Sequence, residues 1–273
     1  MNSVIVLAYE GGFDPATVIR TVADSHRAAV VTMTADIGQA RDVQAARAAA
    51  LAAGARRAYV FDARDEFARG YVLPALQTDP GAVTAGAASA SLAYPLIASK
   101  LAEVARLEGT MAVAHGGSEA LSAAIRAADP TLTILTIEPP SPVRSVAPAA
   151  RHLLQRPVAN PALARGVPAH VVIEFDGAVP ISVNGVALAL ADLMESLALL
   201  GGEHGIGYAE STSAPAALVL DTAYRALACR SGIVRIELLD GRQRVVSTDG
   251  RTSQERPRPD DVRIHESGLV NHA

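Results

Sequence analysis

The chain has 273 residues, half of them hydrophobic, so it can bury one large core or two modest ones without disulfide staples. A net charge of -4 with no continuous run of Lys or Arg excludes the electrostatic footprint of a nucleic-acid or anionic-membrane binder, and Cys229, the single cysteine, excludes an intramolecular disulfide or a cysteine-based metal cluster. No apolar run spans a bilayer and the first residues lack the cationic start of an export signal, so the reading is a soluble, cytoplasmic protein whose partners are small molecules or proteins.

Taken in chain order, Val4 to Tyr9 is a short apolar run ending at Glu10-Gly11-Gly12, after which Asp14-Pro15 opens a helical stretch through Ala23. Ala28 to Thr34 predicts a second strand, leading to Asp36, Gly38 and Gln39, and Ala40 to Ala53 a second helix. Ala58 to Asp62 is the third strand. A helix over Leu96 to Glu108, a strand over Met111 to Ala114, a helix over Leu121 to Ala128 and a strand over Leu132 to Ile137 continue the alternation. Such alternation predicts an α/β domain, a mostly parallel sheet with helices on both faces and right-handed crossovers.

From Glu138 to Pro168 the chain is dense in proline, which reads as a linker interrupted by a short helix near Arg151. Beyond it, Ala169 to Phe175 and Val179 to Val183 read as strands joined at Asp176-Gly177, with a turn at Asn184-Gly185 and a helix over Leu188 to Leu200. A helix over Ala214 to Ala228 and a hairpin of Ile233 to Leu239 with Arg244 to Ser247, turned at Asp240-Gly241, complete the pattern. The expected organisation is an α/β domain over 1–140, a linker over 141–168, a smaller α+β domain over 169–252 and a loose polar tail over 253–273.

Ala8-Tyr9-Glu10-Gly11-Gly12-Phe13-Asp14-Pro15-Ala16 resembles the AYSGGLDTS segment that opens argininosuccinate synthases, members of the N-type ATP pyrophosphatase group. Similar wording follows in the same order at Thr34 to Gln39, Ala58 to Phe67, Leu92 to Ala98 and Val113 to Gly116. In the second half it continues at Val172 to Phe175, Val183 to Gly185, Gly201 to Gly207 and Ala214 to Leu218. The resemblance implies a nucleotide-binding domain of the HUP type followed by a catalytic and multimerisation domain, ATP and magnesium as cofactors, and a possible homo-oligomer. The implied activity is a carbon–nitrogen ligase of arginine biosynthesis, which joins citrulline to aspartate through a citrullyl-AMP intermediate. By the same resemblance Ala8, Tyr9, Glu10, Gly11, Gly12, Asp14, Ala35 and Gly116 are the nucleotide-binding candidates, and Ser118 and Glu210 the substrate candidates. A glycine turn before a helix lets backbone amides approach phosphate oxygens, which is the chemistry such a segment serves.

The departures are equally legible. Glu10 stands where the family has serine, Pro15 where it has threonine and Ala16 where it has the second serine, so a carboxylate faces phosphate and one N–H donor is lost. After His115-Gly116 the chain reads Gly117-Ser118-Glu119-Ala120-Leu121, without the lysine, asparagine, aspartate and arginine of the family's amino-acid clamp. Gly86 and Ala90 replace citrulline-contacting tyrosine and threonine, and Tyr94 replaces arginine. The expectation is an argininosuccinate-synthase-like protein whose chemistry is impaired or redirected to another amino-acid substrate, or a non-catalytic relative acting as a binding or partner subunit. Asp36, Gly38 and Gln39 read as a strand-end turn with helix-capping capacity, His115 as a structural histidine, Glu203-His204 as solvated residues by a glycine-rich connection and Cys229 as packing.

Overall fold

Five strands of the first half form one parallel sheet: β1 (Val4–Ala8), β2 (Ala29–Asp36), β3 (Arg57–Asp62), β4 (Ala112–His115) and β5 (Thr133–Thr136), in the order β3-β2-β1-β4-β5. The computed structural model describes residues 3–9, 14–38, 42–78, 91–137, 166–206, 215–227 and 230–251. The readings at Gln39, near Arg151, at Cys229 and over the tail lie outside these residues.

Both faces of the sheet are covered because side chains alternate along each strand. Ile5, Leu7 and Val30 pack with Val18, Ile19 and Val22 of α1 (Pro15–His26) and Ala50 of α2 (Val43–Ala52). Val6, Val31, Met33 and Val113 face the other way, toward α5 (Tyr94–Glu108) and α6 (Glu119–Ala128). The helix starts follow local chemistry: Asp14 caps α1 with Pro15 as its first residue, and Asp42 accepts from the Gln44 and Ala45 amides to cap α2. Asp36 caps no helix; its carboxylate accepts from the Gly38 N–H within the strand-end turn.

Between β3 and α5 lies a helical segment that apolar periodicity alone did not announce. It comprises α3 (Arg64–Phe67), a π-helical stretch (Ala68–Val72) and α4 (Leu73–Thr78). Pro74 supplies the reason for the widened turn: it has no N–H for the carbonyl of Gly70 and its ring would crowd that oxygen. Leu73 instead donates to Ala68 O, five residues back.

The second sheet is antiparallel, in the order β10-β9-β6-β7-β8, with β6 (Ala169–Asp176), β7 (Val179–Val183), β8 (Val186–Ala187), β9 (Ser231–Leu239) and β10 (Arg242–Arg251). The two expected hairpins are present, and they join through β6 pairing with β9. Val171, Ile173, Val234, Ile236 and Leu238 point to α7 (Leu190–Glu203) and α8 (Pro215–Ala226), and this core is continuous with that beneath the first sheet. Among the described residues no helix is long and apolar enough to cross a membrane.

Specific polar contacts stitch the two halves. The residue before α7 is Ala189, which has no side chain to cap a helix; Asp65 of α3 accepts from Leu190 N at 2.8 Å instead. Arg64 beside it holds Asp62 through two 3.0 Å hydrogen bonds and reaches Asp192 of α7 at 3.7 Å. Gln77 of α4 and Tyr224 of α8 both donate to Ala178 O in the β6–β7 turn, at 2.9 and 3.2 Å. Within the first half, Glu108 at the end of α5 is 3% exposed and accepts from Arg57 (2.9 Å) and Tyr59 (2.7 Å) on β3.

Three outcomes follow from this packing. A methyl group at Gly201 of α7 would lie 2.9 Å from Pro215 Cβ, a rigid neighbour. Gly201→Ala therefore lowers unfolding free energy by about 1–3 kcal/mol in urea titration, the overpacking cost exceeding the helix-propensity gain; a stabilised variant would show that α7 and α8 can separate freely. Asp65→Ala removes the borrowed cap and costs about 1–2 kcal/mol, with faster amide exchange at the first turn of α7; unchanged exchange would dismiss the capping role. Burial pushes the Glu108 carboxyl up, but the Tyr59 and Arg57 hydrogen bonds and the Arg57 and Arg56 charges outweigh it and leave its pKa below the ordinary value. Its stabilising contribution is thus present above about pH 4.5 and fades as pH falls below it. Glu108→Gln costs about 1–3 kcal/mol at neutral pH and flattens the stability loss between about pH 5 and 3; parallel pH profiles for the two proteins would contradict this.

Candidate functional site

The strand order reverses between β1 and β4, since the chain moves from β1 to β2 on one side and places β4 on the other. In an open parallel sheet the crevice outside the carboxyl ends of the strands at such a point is where ligands bind. Here the crevice is opened further because α1 leaves toward one face and α6 toward the other. The end of β1 with the start of α1, and the end of β4 with the start of α6, lie on its two sides.

Most sequence-derived candidates that can be placed collect at this edge. Ala8 ends β1, Tyr9 follows it, and Ala35 lies near the end of β2. Tyr9 is buried and its backbone is committed to the sheet: its N–H donates to Met33 O at 2.9 Å and its carbonyl accepts from Thr34 Oγ1 at 2.6 Å. Gly116 is exposed just beyond β4, with no side chain to keep a ligand from its backbone. Glu10, Gly11 and Gly12 lie outside the described residues, as do Glu210, Gly86 and Ala90.

Asp14 stands at the N-terminus of α1 and accepts from Thr17 N at 2.8 Å and Thr17 Oγ1 at 2.5 Å. The Thr17 hydroxyl, then the Thr17 amide, hold its carboxyl below the usual carboxylate range. It is therefore an anion at neutral pH. An oxyanion at this wall meets both the positive end of the helix and a fixed negative charge.

The opposite wall is organised differently. Ser118 caps α6, its Oγ accepting from Leu121 N at 3.2 Å. Glu119 pairs with Arg126 at 3.1 Å. His115 is 1% exposed and its Nε2 lies 2.9 Å from Ser122 Oγ. Burial is the main influence on its pKa and pulls it below the ordinary histidine value, with the Glu119 charge opposing and the Arg126 charge adding. A neutral, enclosed imidazole bonded to a helix serine agrees with the structural reading of this histidine.

The sequence reading missed Ser122, although a serine beside Leu121 and Ile125 on the buried stripe of an amphipathic helix is a usable signal. The Glu203-His204 segment serves architecture: the His204 carbonyl accepts from Gly241 N at 2.8 Å, docking the β9–β10 turn on the end of α7. Among the described residues no group of three or more His, Cys, Asp or Glu side chains could hold a metal ion.

Comparison with known proteins bears on the family of the chain. Residues 4–152 match the family described as arginosuccinate synthase N-terminal HUP domain. The argininosuccinate synthase of Nitratidesulfovibrio vulgaris (strain Miyazaki F) is 33% identical over 251 residues, covering 74% of this chain and 62% of that protein. That of Caldanaerobacter subterraneus subsp. tengcongensis is 31% identical over 252 residues, covering 74% of this chain and 61% of its own length. The chain thus spans about three fifths of the curated relatives it matches. With the family match extending over more than half of its residues, the chain belongs to the argininosuccinate synthase family.

Proposed function

We propose that the protein binds ATP in the crevice at the carboxyl ends of β1 and β4 and acts as an ATP-dependent carbon–nitrogen ligase of argininosuccinate-synthase type, redirected to acceptors other than citrulline and aspartate. The observation that carries this reading is the coincidence of two independent signals: the strand-order reversal of the sheet, and the sequence blocks around Ala8 and Gly116 that resemble the family's nucleotide segments. Gly116, exposed just beyond β4, leaves backbone within reach of a nucleotide, and Ala8 and Ala35 at the strand ends add no bulky side chain beside it. These residues fit a ligand read mainly through main-chain groups.

Magnesium enters this reading as the partner of the nucleotide phosphates, which typically carry it with only one or two protein carboxylates. A cation there would offset the repulsion between Asp14 and phosphate oxygens. Bound ATP would supply an adenylyl group to activate an oxygen for displacement by an amine. The chain's own part is to hold the phosphates by backbone amides and to keep Asp14 ionised beside them.

Redirection is supported by what the α6 wall does with its side chains. Ser118 spends its hydroxyl on the Leu121 amide, and Glu119 spends its carboxylate on Arg126. Neither is disposed to clamp an amino-acid substrate. Residues that would contact citrulline in the family are Gly86, Ala90 and Tyr94 here, so a less polar acceptor suits the chain better.

Pyrophosphate release tests the proposal. Purified protein with magnesium-ATP is expected to release pyrophosphate and AMP with members of a panel of carboxylates and amines, and little with citrulline plus aspartate. Asp14→Ala is expected to weaken magnesium-ATP binding by about tenfold in calorimetry, because it removes the carboxylate that would face the magnesium ion and the cap that orders the first turn of α1. No nucleotide binding and no pyrophosphate from any pair would instead favour a non-catalytic partner subunit.

A further inference from the structure

His115 sits under the β4 wall of the crevice and is held from three directions. Its carbonyl accepts from Gly117 N at 3.1 Å, within the turn, and from Ile137 N at 2.9 Å, just after β5. Its Nε2 is 2.9 Å from Ser122 Oγ, one helical turn beyond the Ser118 cap of α6. Its Nδ1 is buried and has no hydrogen-bond partner among the described residues. Strand end, turn and helix are therefore joined through one residue.

The unmatched nitrogen decides the tautomer. A buried N–H without an acceptor is rarer and costlier than an acceptor left short of a donor. The proton therefore belongs on Nε2, where Ser122 Oγ accepts it, and Nδ1 keeps a bare lone pair. The charges that reach the ring are those of Glu119 and Arg126 on α6. Protonating Nδ1 would add a positive charge and an unsatisfied donor to the same enclosed place.

We infer that His115 is a positioning residue: through its Nε2–H bond to Ser122 it fixes the first turn of α6 against β4 and so sets the direction of the Gly116 to Ser118 amides at the crevice. This rests on the nucleotide reading of that crevice. It assigns the histidine no contact with ligand and no proton transfer. Protonating Nδ1 would leave the Nε2–H donor in place but set a charge and an unsatisfied donor inside the packing that holds this turn, so nucleotide affinity should decline in acid even while the fold persists.

The test uses the full chain, with Ser122→Ala as the main variant because alanine fits a helix and removes only the hydroxyl. Nitrogen-15 NMR of the ligand-free protein should show His115 neutral at pH 7, protonated on Nε2 and bare on Nδ1. Calorimetry should show magnesium-ATP affinity about two- to tenfold weaker in Ser122→Ala at neutral pH, and the decline in acid should flatten in variants that replace the titrating ring of His115. His115→Gln, which can present an amide N–H near the Nε2 position, should retain more affinity than His115→Phe. An Nδ1–H tautomer, or Ser122→Ala binding nucleotide like the parent at every pH, would overturn the inference while leaving the nucleotide reading intact. A parent protein that binds no nucleotide would remove both, a distinct outcome.

Discussion

The arrangement of the molecule depends on how α7 begins. A helix start leaves unsatisfied N–H groups, and Ala189 offers nothing to cap them. Asp65 crosses from α3 to do so, 125 positions away in sequence, and Arg64 next to it ties Asp62 at the edge of the first sheet to Asp192 in the first turn of α7. Two adjacent residues thus set where the helix layer under the second sheet meets the edge of the first. The apolar interior accepts this junction because Leu190, Leu193, Met194 and Leu197 on α7 enter the same continuous core as Phe67 and Val72. Hydrophobic burial supplies most of the adhesion and is non-directional; the borrowed cap fixes the register.

The same question, what satisfies a helix start, also bears on the crevice. A ligand oxyanion can saturate those amides, or the chain's own side chains can. In α1 and α6 the chain does part of this itself, through Asp14 on Thr17 and Ser118 on Leu121. Neither helix then requires a ligand to be stable. Local stability and ligand binding draw on neighbouring groups, which lets residues around the turns change while the sheet and its strand order remain.

Much of the fold was readable from the sequence because its signals are local. Apolar runs ending near glycine or aspartate marked β1 to β4, a run ending before Glu138-Pro139 marked β5, and Asp176-Gly177, Asn184-Gly185 and Asp240-Gly241 marked turns that the structure contains, with Asn184 and Asp240 at positive φ of 52° and 46°. Residues 64–78 were not readable in this way: ahead of Pro74 their helix widens into a π stretch over Ala68–Val72, which breaks the apolar period. Pairing of β6 with β9 was also hidden, because it joins segments 60 or so residues apart and leaves no local mark. At the crevice, the positions of Ala8, Ala35 and Gly116 could be read from order and spacing. The engagement of Ser118, Glu119 and His115 could not, since partners such as Ser122 and Arg126 are chosen by the three-dimensional path of α6.

That engagement bears on how a family scaffold changes its chemistry. Removing a substrate clamp exposes a helix start to water and leaves the turn before it loose, and both cost order at the position where a nucleotide would need it. On the α6 side the cost is met by small, local bonds: Ser118 to the Leu121 amide, Glu119 to Arg126, His115 to Ser122. Each fixes part of the wall without reaching into the crevice. Ser118 and Ser122 are thus committed within the wall, an arrangement that suits recognition by backbone amides.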